Sequence, residues 1–141
     1  MDDYSTAFIS RCLDTNRLYL SKRKIAAMHL GGITIECFLK KTCFIYHGIN
    51  DWNQISNRTG VSIANPRHRI SNLVTIISSL HIRANASPDV MQAIRHVQEP
   101  CGMDYILWRY HGVEPSQGDF EEWYKSYVLL LKWLVVQVKT L

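Results

Sequence analysis

A chain of 141 residues that is 47% hydrophobic and 20% charged carries enough apolar surface to bury one core. That excludes an intrinsically disordered polymer and gives no reason for a second domain. The formal charge of +4 is modest but unevenly placed: residues 16–83 hold ten Lys/Arg against two acids, Glu36 and Asp51, while the remainder has six Lys/Arg against ten acids. Such segregation points to a positive surface facing phosphates or an acidic partner, with a merely solvated basic face as the plain alternative.

The opening MDDYSTAFISRCLD lacks a basic stretch followed by an apolar run, so it does not read as a secretory leader, and cytoplasmic residence is the expectation. The longest apolar run, within residues 128–138, is interrupted by Lys132 and Gln137 and is too short to span a bilayer; no membrane segment is expected. Cys12, Cys37, Cys43 and Cys101 form no C-x-x-C pair and read as free, mostly buried thiols. Six histidines raise the question of zinc, but no Cys/His cluster has the close pairwise spacing of a structural site, and neither metal nor cofactor is expected.

In chain order, Phe8, Cys12 and Leu13 predict a short first helix over residues 4–18. Ser21 can cap a second helix reaching about His47, in which Ile25, Met28, Gly32, Ile35 and Leu39 recur at intervals of three and four on a face that meets a partner helix. Gly31 and Gly32 inside it each cost about 1 kcal/mol of helix propensity, which close approach of a neighbouring helix or of a ligand would justify. Residues 48–65, rich in Gly, Asn and Asp, predict an extended, mobile loop with at most one short helical turn.

Asn65-Pro66 is a helix start signal, so a third helix is predicted from there to about Ile82, with Ile70, Leu73, Ile77 and Leu80 on one face. Ser87-Pro88-Asp89 repeats the signal for a fourth helix, with Val90, Ile94 and Val97 inward, until Pro100 and Gly102 stop it. The segment CGMDYILWRYHG alternates in polarity and predicts an extended connector. A last helix begins between residues 116 and 120, with Phe120, Tyr124, Tyr127, Leu131, Leu134, Val138 and Leu141 in one stripe. Leu129, Leu130, Trp133 and Val135 make its other faces apolar, which predicts a place at the bundle centre or in an oligomer contact, and so a homodimer. The elements together predict one all-α domain over residues 1–141, an antiparallel up-and-down bundle of four to five helices.

Three constellations could carry chemistry. On the second helix Lys22, His29, Glu36, Lys40 and His47 fall within a narrow arc. They form either a solvated face or a polar seam in which Lys40 meets an anion and Glu36 orients it. Arg67, His68 and Arg69 occupy the predicted first turn of the third helix, where the macrodipole already adds positive charge; a bound phosphate would compensate, as would an acid such as Asp51. Trp108-Arg109-Tyr110-His111 sets an arginine among aromatics, able to stack on a base, or simply covering the core. No phosphate loop, nucleophile elbow or paired-carboxylate motif occurs.

The stretch AAMHLGGITIECFLKK, residues 26–41, resembles the signature helix of bacterial HEPN domains, in which small residues and His-Leu precede a small pair and then Ile-Glu-x-x-Leu-Lys. PRHRISNL and LWRY resemble two later segments of that family, in the same order. The resemblance implies an antiparallel helical bundle that commonly dimerises and associates with nucleotides or RNA. Some relatives are metal-independent ribonucleases, and others partner a small nucleotidyltransferase, often in toxin–antitoxin pairs.

The positions matching the family are Glu36, Lys40, His68, Arg109 and Tyr110. Ribonuclease members carry an arginine followed by four to six residues and then a histidine on a late helix, and residues 116–141 contain neither type. Arg23 and His29 meet that spacing only on the second helix, which we read as coincidence. The expectation is therefore a non-catalytic subunit that binds a nucleotide, RNA or a nucleotidyltransferase or toxin–antitoxin partner through Glu36, Lys40, Arg67, His68, Arg69, Arg109 and Tyr110. The alternatives are a metal-independent endoribonuclease using His29 or His68, and a purely structural helical oligomerisation protein.

Overall fold

The structure, a computed structural model, describes residues 3–141 and is all-helical; among them the only β pairing is an isolated bridge between Ile55 and Ser62. Six α-helices follow in order: α1 (Tyr4–Leu20), α2 (Lys24–His47), α3 (Ile70–Ile76), α4 (Ser78–Asn85), α5 (Pro88–Gln98) and α6 (Gln117–Gln137). Short 3-10 turns lie at Pro100–Gly102, Leu107–Tyr110 and Val138–Thr140. No helix among the described residues is long and apolar enough to cross a membrane.

Asp3 starts α1, its carboxylate accepting from the Thr6 backbone N–H at 3.1 Å and from the Thr6 hydroxyl at 2.6 Å. Ser21 proves to close α1 rather than open α2. Its N–H returns to the Arg17 carbonyl, and Lys22 takes a left-handed conformation (φ 57°) that turns the chain into α2. The helices then run side by side in opposite senses, with Tyr4 against Phe44, Phe8 against Phe38 and Thr15 hydrogen-bonded to Thr34.

The element buried on nearly all sides is α2, not α6. Ala27, Met28, Gly31, Gly32, Ile35, Leu39 and Cys43 are covered, and so are Thr34, Glu36, Lys40, Thr42 and His47. Buried polar residues on so many faces require partners from several other elements, which makes α2 the axle of the fold. Its expected stripe is correct but too narrow. On α6 the buried line is Phe120, Trp123, Tyr127, Leu130 and Leu134; Tyr124 and Leu131 of the expected stripe are only partly covered. Leu129, Val135 and Val136 remain exposed. The expected α6 stripe follows a different three-four alternation from the line that α2 and α5 bury.

The third helix departs most from expectation. Asn65 does not cap it: its side-chain oxygen accepts from the Arg67 N–H at 2.8 Å, and Arg67 itself is left-handed (φ 58°). The helix begins three residues later at Ile70 and stops at Ile76, because Ile77 (φ −100°, ψ 84°) breaks it before α4. The carbonyl freed at the break is satisfied by His47, whose Nε2 donates to Ile76 O at 2.6 Å. The Ser56 hydroxyl donates to the other ring nitrogen at 2.7 Å.

Ser56 thereby anchors the 48–65 loop, which is not the free segment expected. Trp52 packs on Phe44 and donates to the Tyr4 hydroxyl at 2.9 Å. Arg58 lies over the Tyr46 ring at 3.9 Å. The Ser87 cap and Pro88 start of α5 are as expected. The following connector is not extended; its two 3-10 turns fold Trp108 into the core, where its indole donates to the carbonyls of Pro100 and Met103.

Candidate functional site

Glu36 is the hub of the site. Placed mid-way along α2 and only 5% exposed, its carboxylate accepts from three side chains of different elements. Lys40, one turn on, donates at 2.7 Å; Tyr105, from the connector after α5, donates its hydroxyl at 2.5 Å; His68, just before α3, donates Nδ1 to both oxygens at 3.0 and 3.1 Å. A buried carboxylate survives only with such compensation, and charge-assisted hydrogen bonds are the strong kind. Burial and the adjacent Glu36 charge push the Tyr105 hydroxyl well above the usual tyrosine range, so it remains a donor.

Each donor is held by its own scaffold. The Tyr105 ring lies directly on Gly32, so close that any β-carbon there would meet the ring, and its carbonyl accepts from His29 Nδ1 at 3.0 Å. Gly31 admits Trp123 and Tyr127 of α6 in the same way. The close approach that the glycine pair signals is thus made by a helix on one side and a tyrosine on the other. Gln98, at the end of α5, clamps the His68 segment. Its amide nitrogen donates to the His68 carbonyl at 3.2 Å and to Asp104 at 2.9 Å, while its oxygen accepts from the first N–H of α3, at Ile70, at 2.6 Å.

Of the residues expected at the site, Glu36, Lys40 and His68 come together. The role given to Lys40 is corrected: the residue is 5% exposed and its ammonium is spent on Glu36, so it does not meet an external anion. The seam along α2 is also shorter than its arc suggested, since Lys22 lies outside the helix and His47 serves the Ile76 break.

Arg67, His68 and Arg69 do not form a helical first turn, and the first N–H of α3, that of Ile70, is taken by Gln98. All three side chains are nevertheless exposed, with the His68 ring 56% open to solvent. Arg109 and Tyr110 stack on each other at 4.6 Å, with Tyr110 76% exposed, and neither touches Glu36. The short turn that carries them packs against α2.

No family model, curated protein or solved structure matches this chain. What the site can do therefore rests on its own residues.

Two contributors were invisible to spacing. Tyr105 and Gln98 lie 69 and 62 positions from Glu36, and nothing in their local sequence marks them; only the Gly31-Gly32 pair hinted that something would press on α2 there. Among the described residues no group of His, Cys, Asp and Glu gathers in a way that could hold a metal ion. What remains outward is one imidazole whose Nδ1 is fixed by a carboxylate, between two exposed guanidinium groups, with no ion pair to Arg67, Arg69 or Arg109 among the described residues. That surface can bind an anion and orient it.

Proposed function

We propose that this chain is a non-catalytic, HEPN-like helical domain, an up-and-down bundle in outline, that binds the phosphates of RNA or a nucleotide on the surface around His68. The observation that carries the proposal is the His68 imidazole, held by Glu36 at 3.0 Å and left open between Arg67 and Arg69. A fixed imidazole beside guanidinium groups loses little entropy on meeting a phosphate. Arg67 adds support: a left-handed arginine is strained, and strain of this kind gathers at binding sites. The two later segments that resemble HEPN domains, distant in sequence, both meet α2, which carries the first.

A homodimer and a nucleotidyltransferase or toxin–antitoxin partner belong to the same proposal. The exposed Leu129, Val135 and Val136 of α6 favour self-association, and the basic surface favours an acidic partner. Native mass spectrometry of the purified chain reads oligomeric state and retained nucleotide together.

Binding of single-stranded RNA is expected to weaken steeply with salt. Charge reversal at Arg67 and Arg69 should weaken it at all sequences and flatten the salt slope by about one for each phosphate that is no longer neutralised. Arg67→Gly is the control for folding, because glycine relieves the left-handed backbone while removing the charge. Binding that ignores salt and these substitutions would refute the proposal.

One observation favours catalysis as the second reading. A carboxylate on Nδ1 with the other ring nitrogen open is how a proton-transferring histidine is commonly oriented, and His29 lies on the other side of Tyr105. Binding is preferred because His29 already donates to the Tyr105 carbonyl and is partly buried, so that of these two imidazoles only that of His68 stands open, where general acid–base cleavage uses two groups. The expected result is no metal-free RNA cleavage by the parent chain. Cleavage that drops about 100-fold to 10,000-fold in His68→Ala would promote the ribonuclease reading.

A further inference from the structure

On the opposite face of α2 from Glu36, a groove runs between α1, α2 and the C-terminal turn. We propose that it binds an amphipathic carboxylate, a single acyl chain with an anionic head. Its cavity volume of about 430 Å³ is walled by Phe8 and Ile9 of α1, Phe38 and Ile45 of α2, and Val138 and Leu141. Ile9 and Ile45 are 60% and 71% exposed, unusual for isoleucines that already border a hollow. The volume is that of a small-molecule site.

The rim decides the head group. Lys41 and Arg58 border the groove, and among the described residues no carboxylate lies within ion-pair distance of either. Asp3 feels the Lys41 charge, but its two oxygens are spent on the Thr6 cap of α1. Arg58 is held in place by the Tyr46 ring and by its Nε donating to the Tyr46 carbonyl at 2.7 Å, and its terminal nitrogens make no hydrogen bond among the described residues. Ser5 and Thr42 add hydroxyls to the lining.

An apolar hollow with two unpaired cations at its mouth matches a ligand with one apolar and one anionic end. A second copy of the chain fits less well, because a two-fold contact over this groove would set Lys41 and Arg58 near their own images. The site is independent of the His68 surface: Phe38, Thr42 and Ile45 point away from His29, Glu36 and Lys40 by the 100° step of the helix.

The test is titration of the full chain with dodecanoate below its micelle-forming concentration, with dodecanol and inorganic phosphate as parallel probes. Methyl NMR at Ile9 and Ile45 and calorimetry report binding. Dodecanoate should shift both methyls saturably, dodecanol should bind about tenfold more weakly, and phosphate should leave the methyls unmoved. Lys41→Glu with Arg58→Glu should weaken dodecanoate about tenfold at an unchanged melting temperature, and Lys41→Gln, at an exposed position, should do so by a smaller factor if the double variant is unstable. The absence of a saturable shift, equal affinity for dodecanol, or methyl shifts that follow protein concentration as copies associate over the groove would each overturn the proposal. RNA binding should be untouched by Lys41→Gln, so failure here is separable from failure of the His68 reading.

Discussion

Gly32→Ala is expected to destabilise the fold by about 3 kcal/mol and to lower the melting temperature by about 10 °C, although alanine is the better helix former. Propensity alone favours the substitution by about 1 kcal/mol. Against that stands the Tyr105 ring, which occupies the space of the new methyl group. Overpacking costs about 1–3 kcal/mol, and displacing the ring also pulls the Tyr105 hydroxyl from Glu36, a hydrogen bond to a buried charge of about 1.5–3 kcal/mol. Thermal and urea denaturation measure the net loss. Gly118→Ala provides the contrast: on α6, where the nearest atom to a new β-carbon is Ser116 Oγ at 4.0 Å, the same change should stabilise by up to about 1 kcal/mol. A double-mutant cycle of Gly32→Ala with Tyr105→Ala should show strong positive coupling, because the second substitution empties the space the first one needs. Equal effects at the two glycines would mean that Tyr105 does not rest on α2.

Lys40→Met should cost about 3–5 kcal/mol, because it strands the buried Glu36 charge with one donor fewer. The cost reflects the orphaned partner rather than the worth of the pair, so removing the cluster as a whole should be far milder. Glu36→Leu with Lys40→Met and Tyr105→Phe leaves no unpaired charge in the core and keeps its volume, and its melting temperature should lie within a few degrees of the parent. That triple variant still carries Arg67, His68 and Arg69 but has no carboxylate to hold the imidazole. RNA affinity should therefore fall while stability is nearly restored, a split that a merely structural cluster would not produce. A triple variant as unstable as Lys40→Met would show that the cost does not come from the stranded Glu36 charge.

The corrections at Lys40 and at residues 67–69 share one physical origin. Helical periodicity reports which residues share a face, but it does not report whether that face is met by water, by a ligand or by another part of the chain. For Glu36 and Lys40 the arc was legible and its environment was not: a tyrosine and a histidine from distant segments close over it. For Arg67 the start signal Asn65-Pro66 was real as turn chemistry, with Asn65 bonding the Arg67 N–H, but the helix had to wait for Gln98 to cap Ile70. The separate ending at Ile77 was equally hidden, since the two halves, α3 and α4, read as one period.

The sequence by itself determined the helical character, the ends of α1, α5 and α6 to within a few residues, the need for close contact at Gly31 and Gly32, and the excess of positive charge in residues 16–83. These depend on local spacing, caps and composition, whose physics acts within a few residues of the chain. The tertiary structure alone decided that α2 rather than α6 lies at the centre, that His47 spans a helix break instead of joining a polar seam, and that Tyr105 and Gln98 hold Glu36 and the His68 segment, so that the exposed His68 imidazole is fixed. Those are outcomes of long-range packing, in which a buried polar group must find its partner wherever the fold can bring one.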